Sequence, residues 1–165
     1  MSDLDPISES PTPGQSPAPS GLLYAEDIEI GIPIELGTHY VSRDEIVSFA
    51  TQWDPQSFHI DDAAGERSPF GGLIGSGLHS MCIFQRLAVL RLYRHWAVIA
   101  GRAMRDVQLT SPLRPGATVH AVVEALKVDL SRPDRALCTS LGTLHDGERQ
   151  LLSFELDAYV LRRPA

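Results

Sequence analysis

SGLHSMCIFQRLAVLRLYRHWAV, residues 76–98, is the stretch from which the rest of the chain is best read. Leu78, Met81, Cys82, Val89, Leu92 and Trp96 fall on one side of a helix, and Ile83, Leu87 and Leu90 on another. A helix that is apolar nearly all round is buried nearly all round. The longest apolar segment, residues 73–101, is nevertheless broken by His79, Gln85, Arg86, Arg91, Arg94 and His95, groups that are costly in hydrocarbon. The spacing therefore predicts one long core helix from about Ser76-Gly77 to about Val98, and no membrane span.

On the C-terminal side the pattern changes from helical to extended. Residues 102–112, 117–129, 135–145 and 149–162 are β-branched or alternating, separated by Arg114-Pro115-Gly116, Ser131-Arg132-Pro133-Asp134 and Asp146-Gly147. These separators are turn signals, the last a tight hairpin. On the N-terminal side, Ser42-Arg43-Asp44-Glu45 has the form of a capping box, with Ile46, Phe49 and Ala50 at helical spacing behind it. A helix over about 43–52 follows, preceded by an extended arm around Ile34 to Val41. The helix ends at Asp54-Pro55, because proline disfavours the helical region for the residue before it. An irregular stretch then runs to Gly71-Gly72, and Asp62, ahead of Ala63-Ala64, reads as a helix cap. One buried helix and four consecutive strands, with a possible fifth before them, define an α+β fold with an antiparallel sheet wrapped around a single central helix.

Composition narrows the function. The 165 residues suffice for one domain with a core, here residues 23–165. Residues 1–22, rich in Pro and Ser, are expected to be a disordered tail. Fourteen basic against 21 acidic residues give a net charge of −7, the wrong sign for nucleic acid or an anionic membrane as main partner. Cys82 and Cys138 lie in apolar runs and read as small buried hydrophobes. With no basic, apolar leader at the start, a cytoplasmic location is expected.

The chemistry gathers in WDPQSFHID, residues 53–61. Asp54 and His59 are two proton-handling groups in one short segment. The plainer reading is that Asp54 caps local amides and His59 makes one structural hydrogen bond. Their surroundings favour the other: Phe58, Pro69 and Phe70 offer apolar cover, and Gly71-Gly72 and Gly75-Ser76-Gly77 bring bare backbone to the start of the long helix. A carboxylate, an imidazole and free amides at a helix N-terminus can move a proton beside a carbonyl whose oxygen gains negative charge. His59, Asp61 and Asp62 do not make a convincing metal set, and none is expected. His79 and Ser80 read as packing residues, and His39, His95, His120 and His145 as scattered surface or structural histidines.

Tyr24-x-Glu26-Asp27, Asp54-Pro-Gln-Ser-Phe-His59, Pro69-Phe-Gly-Gly-Leu-Ile-Gly-Ser-Gly77, Leu113-Arg-Pro-Gly116, Ser131-Arg-Pro-Asp-Arg135 and Ser153-Phe-Glu155 occur in the order seen in MaoC-like dehydratases. Over about residues 23–163 the chain resembles that family and is similar to the (R)-specific enoyl-CoA hydratases. The resemblance implies a hotdog fold. It also implies hydration or dehydration across the 2,3 double bond of an enoyl-CoA-type thioester, with a water held by Asp54 and His59 and added syn. The backbone N–H of Gly77 is then the oxyanion hole. No metal or redox cofactor is implied; coenzyme A enters as part of the acyl-CoA substrate. Arg114, Arg132 and Arg135 could meet its phosphates, but arginines in exposed turns are usually just solvated, and none of them is assigned that role. A homodimer or dimer of dimers is implied, with the acyl channel at the subunit interface. Two departures stand out: Gln56 and Ser57 occupy positions where the commoner motif has Asn and Pro, and Ala117 replaces the usual Asp after Arg-Pro-Gly. A hotdog acyl-CoA thioesterase and a non-catalytic acyl-binding partner of another MaoC-like subunit are the alternative readings.

Overall fold

The computed structural model describes residues 21–164; most of the expected N-terminal tail lies outside them. Five strands form one antiparallel sheet: β1 (Pro33–Tyr40), β2 (Val98–Leu109), β3 (Thr118–Asp129), β4 (Arg135–Asp146) and β5 (Arg149–Leu161). Their spatial order is β1-β3-β4-β5-β2. Four helices, α1 (Arg43–Trp53), α2 (Ser57–Ile60), α3 (Asp62–Arg67) and α4 (Gly77–Arg91), lie between β1 and β2 in sequence. The expected α+β architecture, a sheet around one central helix, is the observed one.

The inner face of the sheet explains why α4 sits where it does. Gly142 of β4 pairs with Phe154 of β5, and a side chain at 142 would come within 2.6 Å of Phe84 Cζ. The missing side chain leaves a notch that Phe84 fills, with its ring edge-on to Phe154 at 4.9 Å between centroids. Ile83, Phe84, Leu87 and Ala88 of α4 are buried there against Leu144, Leu152 and Val160. This is close packing of the kind that makes even a one-methylene change costly.

Several expectations about the helices change. Helix α4 ends at Arg91, not near Val98. Residues 95–97 are drawn out of the helix because their backbone pairs elsewhere: Leu23 N donates to His95 O, Ala97 N to Leu23 O, and Leu161 N to Ala97 O. β2 accordingly begins at Val98 and carries Gly101 within it, at one of three register shifts against β5. Nor is α4 buried all round. Leu78, Val89 and Leu90 are exposed in the single chain, and so is Cys82, while Cys138 is buried as expected. The stretch 54–72 is not wholly irregular, since it contains α2 and α3. The cap of α3 is Asp61, whose carboxylate accepts from Ala64 N at 2.7 Å; Asp62 pairs with Arg43 instead.

At the start of α1 only half of the capping box forms. Ser42 Oγ accepts from Glu45 N at 3.1 Å, but the Glu45 carboxylate turns away from the helix. It takes hydrogen bonds from His39 Nε2 at 2.8 Å and His79 Nε2 at 3.1 Å. His79 is also stacked on Phe49, 4.5 Å between ring centroids. One carboxylate thus ties β1, α1 and α4 together. Burial pushes the Glu45 carboxyl up, but the two histidine hydrogen bonds outweigh it and bring it down to about 2.

Candidate active site

Asp54 is the C-cap of α1, held outside the helical region at φ −154°, as its neighbour Pro55 requires. The chain then makes α2, a single turn that carries His59. His59 is buried, and its Nδ1 lies 2.7 Å from the carbonyl oxygen of Ile74. A carbonyl has no proton to give, so Nδ1 carries the hydrogen and Nε2 points away from the backbone. Nε2 is 3.4 Å from Asp54 Oδ2. That separation is longer than a good direct hydrogen bond and short enough for one water to reach both atoms.

The carboxylate is fixed from two further sides. Ser76 Oγ donates to Asp54 Oδ2 at 2.6 Å, and Gln56 Nε2 donates to Asp54 Oδ1 at 3.0 Å. The Ser76 hydrogen bond, with that from Gln56 next, holds the Asp54 carboxyl below the usual carboxylate range despite a smaller opposing effect of burial. Gln56 thus gives Asp54 a side-chain amide from the position where the commoner motif has Asn, while Ser57 opens α2. Ser76 is the N-cap of α4, and its Oγ also accepts from Leu78 N at 3.2 Å. One hydroxyl thereby joins Asp54 to the end of the central helix.

Gly77, the first residue of α4, is next in the chain. As the first helical residue it has no intrahelical acceptor, and among the described residues its N–H meets no other. A side chain at 77 would fall 2.2 Å from Leu109 Cδ1, so glycine lets the end of β2 close over the start of the helix. The residues leading to it are also constrained. Gly71 and Gly72 have φ of +60° and +148°, and a side chain at Gly75 would come within 2.8 Å of Leu113 Cδ2. Gly75 N donates to Leu113 O at 2.8 Å, and Ile74 N to Phe58 O at 3.3 Å. The apolar cover expected for the pair is partly present: Phe58 meets the His59 ring edge-on at 4.5 Å, whereas Phe70 packs on Phe58 at 5.5 Å.

All three residues singled out from the sequence, Asp54, His59 and Gly77, thus stand around the α4 N-terminus, the first two in contact and Gly77 adjoining Ser76. The sequence reading passed over Ser76, although serine directly before a helix start is a strong N-cap signal. His79, expected as a packing residue, does stack on Phe49, and with His39, expected as a surface or structural histidine, it also holds Glu45. Of the three candidate arginines, Arg114 lies beside the loop, donating to Phe70 O. Arg135 is committed to Asp134 and the Tyr159 ring, and Arg132 lies by Arg162. Among the described residues no group of three or more His, Cys, Asp or Glu is arranged to hold a metal ion, and no helix is long and apolar enough to cross a membrane.

A sheet of this strand order around one helix, with Asp, His and a glycine N–H at the helix start, defines the hotdog class that contains hydratases and dehydratases. The chain belongs to the MaoC like domain family, whose model matches residues 27–141. It is 33% identical to the MaoC-like dehydratase of Rhodospirillum rubrum, whose crystal structure superposes with a TM-score of 0.78 over 87% of this chain and 99% of that one. It is 30% identical over 132 residues to the 3-hydroxybutyryl-CoA dehydratase of Methylorubrum extorquens, covering 77% of this chain and 82% of the relative. It is also 27% identical to the uncharacterised protein YdeM of Bacillus subtilis, over 83% of this chain and 98% of that protein.

Proposed function

We propose that the protein is a hydratase or dehydratase that adds or removes water across the 2,3 double bond of an enoyl-CoA-type thioester. The observation that carries this reading is the 3.4 Å approach of His59 Nε2 to Asp54 Oδ2 beside the unengaged N–H of Gly77. A water bound by both groups is presented to the β-carbon. As its oxygen bonds to that carbon, its proton passes to Asp54, kept ionised by Ser76 and Gln56. The α-carbon takes a proton from Nε2 of the imidazolium form of His59. Proton transfer from Asp54 to His59 restores the starting state, so the balance is one water added to one alkene. The thioester oxygen, which becomes an enolate in passing, accepts from Gly77 N–H; one such donor contributes about 3 kcal/mol to lowering the barrier. The step is redox-neutral and asks for no metal or redox cofactor.

We further propose a homodimer. β2 is an edge strand with Ile99, Met104, Val107 and Leu109 exposed, and a long apolar edge of this kind needs cover. Pairing through two copies of β2 supplies it and brings the acyl channel to the interface.

The test is hydration of crotonyl-CoA, followed by loss of the enoyl absorbance. Asp54→Asn and His59→Gln are each expected to lower turnover by roughly 10²–10⁴-fold with unchanged circular dichroism, the range for loss of a general acid or base. Near-wild-type turnover in either variant overturns the reading. Free thiol released while the enoyl absorbance persists would point to thioester hydrolysis instead, and tight acyl-CoA binding without turnover to an acyl-binding partner.

A further inference from the structure

His79 stands two residues after Gly77 on α4, with its ring laid flat on Phe49 of α1, 10° from parallel. It is only 4% exposed. The Glu45 carboxylate that it meets is lowered to about 2 and has no proton to give at neutral pH, so the hydrogen lies on His79 Nε2. Nδ1 is then left, among the described residues, without a hydrogen-bond partner. A bare lone pair in the neutral ring and an unmet N–H in the charged one are both costly when buried. A leucine, similar in volume, would fill the place without that cost. Packing is therefore a poor reason for a histidine at 79.

The setting of α1 supplies a better one. Asp54 caps the C-terminal end of α1, while Ser76 and Gly77 open α4, so the site is divided between two helices. Of its own residues α1 buries only Ile46 and Ala50, a narrow stripe that fixes how deep the helix lies and resists rotation or tilt weakly. Polar ties hold its two ends. At one, Ser76 Oγ donates to Asp54 Oδ2 at 2.6 Å. At the other, His79 Nε2 donates to Glu45 at 3.1 Å, and His39 of β1 steadies the same carboxylate. Glu45 and Asp54 lie about 13 Å apart along the axis, so a tilt of about 5° displaces one end against the other by about 1 Å. A misplacement of that size at a reacting group can cost up to about 10²-fold in rate.

We infer that His79 is a positioning residue for the reaction: through its hydrogen bond to Glu45 it fixes α1 against α4, and so sets the Asp54 carboxylate relative to Ser76 and Gly77. The inference rests on the hydratase reading of this site and deepens it. The part of His79 is to hold a helix, not to move a proton.

Two substitutions separate this role from packing. His79→Gln keeps a donor where Nε2 stood and gives up the flat ring on Phe49, whereas His79→Leu fills a similar volume and gives up the donor. With crotonyl-CoA, kcat is expected to fall about tenfold in His79→Leu and less than about threefold in His79→Gln, with KM within about twofold of wild type in both. Stability, read as the denaturant midpoint, should run the other way, with His79→Leu above His79→Gln, because the buried amide keeps an unpaired polar atom and loses the ring contact. A purely structural role would make activity follow stability. A kcat for His79→Leu within about twofold of wild type, or a ranking of kcat that matches the ranking of stability, overturns the inference.

The carboxyl titration of Asp54, followed by carbon NMR, reads the same geometry without turnover. The Ser76 hydrogen bond does most to hold that carboxyl below its usual range, so loosening α1 should move it to higher pH in His79→Leu and leave it in place in His79→Gln. An unmoved titration in His79→Leu also overturns the inference. If the titration moves while wild type fails to hydrate crotonyl-CoA, the positioning role stands and the hydratase reading falls. Hydration by wild type that is undiminished in His79→Leu defeats the positioning role alone.

Discussion

Asp54 is set by three neighbours that are far from equivalent in sequence. Gln56 is two residues away, His59 five, and Ser76 twenty-two. Removing the strongest support has a signed consequence. Ser76→Ala deletes the hydrogen bond that does most to keep Asp54 ionised, so the Asp54 pKa rises and the acid limb of the hydration pH profile moves to higher pH. Gln56→Ala should move it the same way by less. The same Ser76 substitution removes the α4 N-cap, at about 1 kcal/mol of stability, readable by chemical denaturation. An unmoved acid limb in Ser76→Ala would show that Asp54 ionisation does not limit the rate. Glu45 offers a parallel test on stability. Its carboxyl is lowered to about 2 in the fold from an ordinary 4.5, so its contribution is fully present above about pH 4.5 and is lost as pH falls through 2. Glu45→Gln is therefore expected to cost about 1–2 kcal/mol at pH 5, after allowance for its partial exposure, with the deficit closing between pH 4.5 and 2. A deficit independent of pH over that window would contradict the His39–Glu45–His79 linkage.

At the scale of elements, what was legible in the sequence was what local chemistry decides. Ser42 capped α1, Asp54-Pro55 ended it, Asp146-Gly147 turned β4 into β5 with Gly147 at φ +58°, and Ser76-Gly77 began α4. Nothing local announced that α4 would stop at Arg91, because residues 95–97 are claimed by Leu23 and Leu161, some 70 residues away on either side. Nor did the capping-box pattern show that Glu45 would desert its own helix for two histidines, one of them 34 residues distant. Helix α3 makes the dependence of the site on its supports testable. A side chain at Gly65 would stand 2.6 Å from Leu73 N and 2.8 Å from Gly72 C, backbone atoms that cannot swing aside. Gly65→Ala is expected to cost about 2–3 kcal/mol by overpacking. It should also lower turnover, since the displaced segment leads directly to Ile74, whose carbonyl orients His59. Full activity with wild-type stability would mean that this packing does not set the site.

For the molecule as a whole, the long apolar edge of β2 and the exposed Leu78 and Val89 of α4 are surfaces that a single chain leaves uncovered. The sequence showed these residues as apolar but could not show which would be left outside, because that depends on the strand order. Sedimentation of the wild-type chain is expected to give a dimer, and Ile99→Lys combined with Val107→Lys, which sets like charges along the edge, a monomer. A monomeric wild type at micromolar concentration would remove the proposed β2 pairing.

The central claim is that one water is held by Asp54 and His59 on the same side of the substrate. Hydration of crotonyl-CoA in D₂O, with the relative configuration at C2 and C3 of the product read from its proton NMR coupling, tests this directly. A single diastereomer from syn addition is expected; an anti product, or a mixture of the two, would contradict a water held by Asp54 and His59 on one side of the substrate.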